Sequence, residues 1–255
     1  MPHDRSRAPS PISSDPVNDL LKLAIGGHGG LHRWEQISRF RAAVSITGTI
    51  WTHKGRPGLL NCVVLEGETR DQRLTISPFP RPGRYATWEP SRQTIRTAEG
   101  ALVAERRDPV AAFIERTRES PWDEFQVAYV VSEANWNYFV APFLFARRDV
   151  ETEESWPWWE DGQVWRRLLV TYPERIVAHT RQQTCYFDDT GLLRRLDYSV
   201  DVLGGGAAVH YPARYRAFDG IMVPTRREVF ARNPDGSPNL GSVSVAIDVN
   251  DVTFT

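Results

Sequence analysis

Cysteine is scarce in this chain. Of 255 residues only Cys62 and Cys185 are thiols, each within an apolar, strand-like run. They read as two distant buried core residues, because a disulfide needs an oxidising compartment that nothing else in the sequence implies. Neither sign of charge is in excess: 31 Lys and Arg face 32 Asp and Glu. That balance argues against the clustered basic face of a nucleic-acid binder and against electrostatic attraction to anionic membranes. No apolar run reaches the length of about 18 residues that a membrane-spanning helix needs. The opening MPHDRSRAPSPISSDP lacks the apolar centre of a secretory signal, so a cytoplasmic location is expected.

Chemistry-bearing motifs are also few. There is no G-x-S-x-G, P-loop or dinucleotide fingerprint, so no cofactor is expected. Gly204-Gly205-Gly206 leads into a strand, which lacks the helix N-terminus that makes a glycine loop cradle phosphate. His28, His32 and Glu35 have helical spacing for a metal, but Gly29-Gly30 lies between the histidines and breaks the register. No metal is expected there.

What is present is apolar and aromatic material, 41% and 11% of residues, and a clear change of period along the chain. Residues 1–14 are rich in Pro, Ser and Arg and read as a disordered tail, with 15–255 as one domain. Asp15-Pro16 reads as a helix start, and Val17, Leu20, Leu21 and Ala24 give that helix an apolar face. Gly26-Gly27 stops it and Gly29-Gly30 keeps the chain loose. From Phe40 to Ile50 the period becomes two, a long half-buried strand. Further strands are expected at 59–67, 72–79, 84–89, 93–98 and 101–107, and then at 164–172, 180–187, 192–202, 207–218, 222–231 and 242–254.

Between the two strand sets lies a helical insert, about 109–146, whose centre reads PWDEFQVAYVVSEANWNYFVAPFLFA. Trp122, Phe125, Tyr129, Trp136 and Val140 recur at helical spacing, and Val127, Ala128 and Val131 extend the apolar surface round the axis. A helix apolar on most sides is buried on most sides. Ser120-Pro121 is read as its start and Pro142 as its end. The expected architecture is α+β and mainly antiparallel β: a curled, half-open β-barrel wrapped around a central aromatic helix.

Several segments carry a family resemblance. Leu20–Ile25, Gly26–Gly30, Leu31–Ile37 and Phe40–Trp51 follow one another as helix, glycine turn, short helical turn and long strand. The hairpin YFDDTGLL at 186–193 and the turn and strand FDGIMVPTR at 218–226 come near the end. Together these resemble the LolA/LolB-like half-barrel superfamily over about half of the chain. The resemblance implies an incomplete barrel around helices with an apolar cavity for acyl chains. It implies no catalytic residues. The expected export signal and lipidated cysteine of those carriers are missing from this sequence.

The expected function is a cytoplasmic binding protein for a hydrophobic small molecule or acyl chain in a cleft between sheet and helix. Trp122, Tyr129, Trp136, Asn137 and Tyr138 are the candidate ligand-binding residues. The alternative is a cofactor-independent enzyme, a lyase, isomerase or hydrolase, acting on an apolar substrate in the same pocket. Its candidate catalytic groups are Glu133, His179 and His210, since a carboxylate or imidazole among aromatics suits proton transfer. Each has a plainer reading. Glu133 reaches solvent or pairs with an arginine, and Asn135 and Asn137 bond backbone. His179 anchors a surface loop. His210 shares an outer strand face with Arg214 and Arg216, and becomes a pocket base only if the sheet buries that face. The Trp156-Pro157-Trp158-Trp159 stretch, among Glu151, Glu153, Glu154, Glu160 and Asp161, reads as a loop that caps the cleft or meets a partner.

Overall fold

The computed structural model describes residues 18–114, 117 and 119–255. The expected tail at 1–14 and the expected helix start at Asp15-Pro16 lie outside the described residues. Helix α1 spans Asp19–Gly27, and Asn18 caps it by accepting the Leu21 N–H. Short helices α2 (Leu31–Glu35) and α3 (Thr49–His53) flank strand β1 (Arg39–Thr47). Strands β2 (Val63–Glu68), β3 (Leu74–Ser77), β4 (Arg84–Glu89), β5 (Arg92–Thr97) and β6 (Leu102–Arg107) follow as a meander. Helix α4 (Glu124–Val140) comes next. A second meander then runs through β7 (Glu151–Glu160), β8 (Gln163–Thr171), β9 (Gln182–Phe187), β10 (Leu193–Val200), β11 (Gly206–Phe218), β12 (Ile221–Ala231) and β13 (Val245–Phe254).

Among the described residues, all 13 strands form one sheet, ordered β6-β5-β4-β3-β2-β1-β13-β12-β11-β10-β9-β8-β7. The pairing of β1 with β13, antiparallel like the rest, joins the two meanders. The connection that carries α4 therefore links opposite edges of the sheet, β6 and β7, which are not paired to each other. This is the expected α+β half-open barrel around a central helix. Its β1 alternates as expected, with Phe40, Ala42, Val44 and Ile46 buried.

Helix α4 starts at Asp123, later than Ser120-Pro121. Asp123 accepts the Gln126 N–H, and the Gln126 side chain accepts the Asp123 N–H, each at 2.9 Å. This capping box satisfies two otherwise unpaired donors. The helix packs on β3 and β4. Tyr129 meets Trp88 edge to face, Phe139 stacks on Phe40 at 4.5 Å, and Trp136 donates to the Glu68 carbonyl at 2.7 Å.

Four local expectations are corrected. The first strand ends at Thr47, because Gly48 takes φ 123° and the chain coils into α3. Cys62 is exposed in a turn with φ 54°, and only Cys185 is buried in a strand. Gly29 and Gly30 are not loose. Gly29 has φ 119° and its backbone presses on Gly220, where a Cβ would come within 2.3 Å of the carbonyl oxygen. Finally, the Trp156–Trp159 stretch is the second half of edge strand β7, with Trp156 and Trp159 exposed. Proline is tolerated on an edge strand, where no ladder N–H is needed, and the register with β8 shifts between Ser155 and Trp158.

Candidate functional site

The two faces of α4 do different things. Its largest side chains, Trp122 just before it, then Tyr129 and Trp136, fill the packed space against the sheet and the 3-10 turn at Pro109–Phe113. None of the three lines the large cavity. The face formed by Val130, Ala134 and Tyr138, with Val131 and Asn135 beside it, does. These positions recur at i, i+4 and i+8, and most are small. They leave a cavity of about 820 Å³ between the helix and the sheet. Ile46, Val200, Val229 and Ile247 supply the aliphatic wall from β1, β10, β12 and β13. Exposed Thr49, His53, Gly204, Gly205, Gly206 and Ser242 form its rim.

A polar patch interrupts that wall, and Asn135 and the buried Lys54 also border the cavity. Tyr138, His179 and Tyr198 all border the cavity. The Tyr138 hydroxyl is 3.2 Å from His179 Nε2 and 3.0 Å from the Tyr198 hydroxyl. His179 stacks on Tyr198 at 4.7 Å. Behind it, His179 Nδ1 lies 2.8 Å from Glu133 Oε2, and both side chains are almost fully buried. That contact is off the ideal N–H axis, and Glu133 Oε1 and His179 Nδ1 have no aligned hydrogen-bond partner. Glu133 therefore neither reaches solvent nor pairs with an arginine, and His179 is not a surface residue. The β8–β9 connection that carries His179 is held from two sides. Gln72 exchanges two hydrogen bonds with the Val177 backbone, at 2.7 and 2.8 Å, and Asn137 donates to the Val177 carbonyl. Asn137 and Asn135 also bond the carbonyls four residues back, of Glu133 and Val131.

His210 is fully buried, not on an outer face with Arg214 and Arg216. The alternation of β11 is interrupted at Arg214, which takes φ 56°. Beyond it Tyr215 turns towards His28, with ring centroids 5.8 Å apart. His210 packs edge to face on Tyr138 at 4.6 Å, and Arg227 Nη1 lies 3.4 Å from its Nε2. Burial, and after it Arg227, hold the imidazole well below its ordinary pKa, so it stays neutral. It borders Tyr138 rather than the cavity. Arg227 lies over the Tyr138 ring at 5.0 Å and donates to the Tyr138 carbonyl. Burial lowers its guanidinium from the usual range. Burial also raises the Tyr138 and Tyr198 phenols, keeping both protonated.

The structure thus brings Glu133, His179, His210 and Tyr138 together from α4, the β8–β9 connection and β11. Tyr198 and Arg227 complete the cluster, and sequence reasoning missed both. Each lies inside a strand, β10 or β12, where the sequence marks it only as one more strand residue. Among the described residues no group of three or more His, Cys, Asp or Glu side chains is placed to hold a metal. No described helix is long and apolar enough to cross a membrane.

Comparison with solved structures addresses the fold. A DUF1329 family protein from Desulfovibrio piger superposes with a TM-score of 0.53, at 16% identity over 94% of each chain. A LolA superfamily protein from Nitrosomonas europaea superposes at 0.52, with 10% identity over 95% of this chain and 94% of that one. The fold is LolA-like. An outer membrane lipoprotein-sorting protein domain from Vibrio parahaemolyticus shares the LolA-like arrangement at 0.51, with 9% identity over 93% and 91% of the two chains. No family model matches the sequence, and no curated protein matches it.

Proposed function

We propose that this protein binds a hydrophobic small molecule or acyl chain in the cleft between α4 and the sheet. The observation that carries the reading is the cavity of about 820 Å³ with mostly aliphatic walls. Small-molecule sites typically measure roughly 300–1,000 Å³ and are apolar with a few convergent polar groups. The similarity in fold to a lipoprotein-sorting domain supports a lipid-like ligand. The test is native mass spectrometry of protein purified under mild conditions, with extraction of what is bound. A stoichiometric apolar molecule supports the proposal. Protein that is empty, and that takes up no fatty acid, alcohol or lipid on incubation, refutes it.

A second reading is favoured by the contact of Glu133 with His179 and of His179 with Tyr138. In a cofactor-independent enzyme, that chain would move a proton to or from an apolar substrate. Glu133→Gln distinguishes the two. A carrier keeps its ligand affinity, whereas an enzyme keeps binding and loses turnover.

A further inference from the structure

We propose that the polar patch formed by Tyr198, Tyr138 and His179 is a subsite for a neutral hydroxyl group, so that the cavity takes a long-chain alcohol or hydroxylated lipid head first. The inference rests on the binding reading above and names the ligand class.

The direction of the hydrogen bonds decides the chemistry. A buried carboxylate 2.8 Å from His179 Nδ1 requires a proton on that nitrogen, since a bare lone pair there would face negative charge. The inferred arrangement puts the ring's one proton on Nδ1, which leaves Nε2 to accept from the Tyr138 hydroxyl across 3.2 Å. The Tyr138 proton is committed, so the 3.0 Å contact between the phenols is made by the Tyr198 proton. Both phenol protons point towards His179. Tyr198, which lines the cavity, is left with an oxygen lone pair and no proton to offer.

A lone pair in an apolar cavity is satisfied by a donor. An ether, ester or carboxylate brings none, and a carboxylate adds a second negative charge on the Glu133 side. An ammonium brings a donor, but its charge is costly among aliphatic walls and is opposed by Arg227 over the Tyr138 ring. A hydroxyl donates without charge. His210 does not compete: its Nε2 faces Arg227, and its Nδ1 makes no hydrogen bond to either phenol. The polar patch is buried while the rim is exposed, so the hydroxyl enters first and the chain lies against Val130, Ala134, Val229 and Ile247.

The experiment is displacement of the neutral fluorophore N-phenylnaphthylamine by decanol, decyl methyl ether and decanoate. On the unaltered protein decanol should bind about tenfold more tightly than the ether. Tyr198→Phe should remove that advantage and leave the ether within about twofold of its former affinity. Equal affinities, or decanoate binding tightest, would overturn the hydroxyl subsite while leaving the cavity reading intact, provided Ala134→Phe still blocks displacement. Displacement that ignores Ala134→Phe, or no displacement by any of the three, would remove the cavity reading and the subsite with it.

Discussion

Trp136 and Ala134 lie two residues apart on α4 and face opposite fates. Trp136 is fully buried and donates to the Glu68 carbonyl at 2.7 Å. Trp136→Ala removes an indole from packed core, a change that costs about 3–5 kcal/mol. It also strands the Glu68 carbonyl, so the expected loss is near the upper end, about 4–5 kcal/mol. Ala134 borders the cavity. Ala134→Phe adds a ring where space exists, so stability should change by less than about 1 kcal/mol. The ring should displace ligand and lower affinity by about tenfold or more. Urea titration followed by circular dichroism reads the first effect, and fluorophore displacement on folded protein reads the second. The reasoning is refuted if Ala134→Phe destabilises more than Trp136→Ala, or if Trp136→Ala weakens binding while Ala134→Phe does not.

Three other changes test other parts of the molecule. Arg195 is fully buried between the Trp158 and Tyr186 rings, paired with Asp197 at 2.7 and 2.9 Å and with Glu160, and bonded to the Gly236 carbonyl. Arg195→Met should cost about 3 kcal/mol in urea titration, the low end for a broken buried pair. Arg232 and Tyr186 remain on Asp197 to limit the loss, and a change under about 1 kcal/mol would contradict this account. Gly191 has φ 82°, and a Cβ there would lie 2.3 Å from the Leu23 carbonyl oxygen. Gly191→Ala should therefore cost more than about 1 kcal/mol, a lower thermal midpoint being the readout. Burial lowers the His28 pKa from 6.5 to about 4. The unfolded chain gains this proton first, so stability is full above pH 6.5 and falls as pH drops towards 4, by about 3 kcal/mol from this group. His210 acts in the same direction. His28→Phe should flatten the fall, measured by urea titration across that range, and an unchanged slope would contradict the burial argument.

Strand β1, which alternates cleanly, was legible because one face is wet and the other is core. Strand β7 was not, since Pro157 and a shift in register hide its period. His210 was misjudged because a left-handed residue at Arg214 interrupts alternation, and no residue type at that position announces it. The site shows a similar limit. Aromatic spacing identifies a buried helix, but the largest side chains of a buried helix fill space. The cavity lies along Val130, Ala134 and Tyr138, where the side chains on either side are small. Size is visible in a sequence, but which face meets the sheet is a property of topology. Glu133 and His179 were visible as ionisable groups, and their contact depends on a loop clamped by Gln72.

The central claim is that ligand occupies the space between α4 and strands β1, β10, β12 and β13. Nuclear Overhauser contacts between bound decanol and selectively labelled valine and isoleucine methyls test it directly. The account predicts contacts to Val130, Val131, Val229, Ile46 and Ile247. Contacts confined to the exposed Val164 of β8, or saturable binding with none of the five, would contradict it.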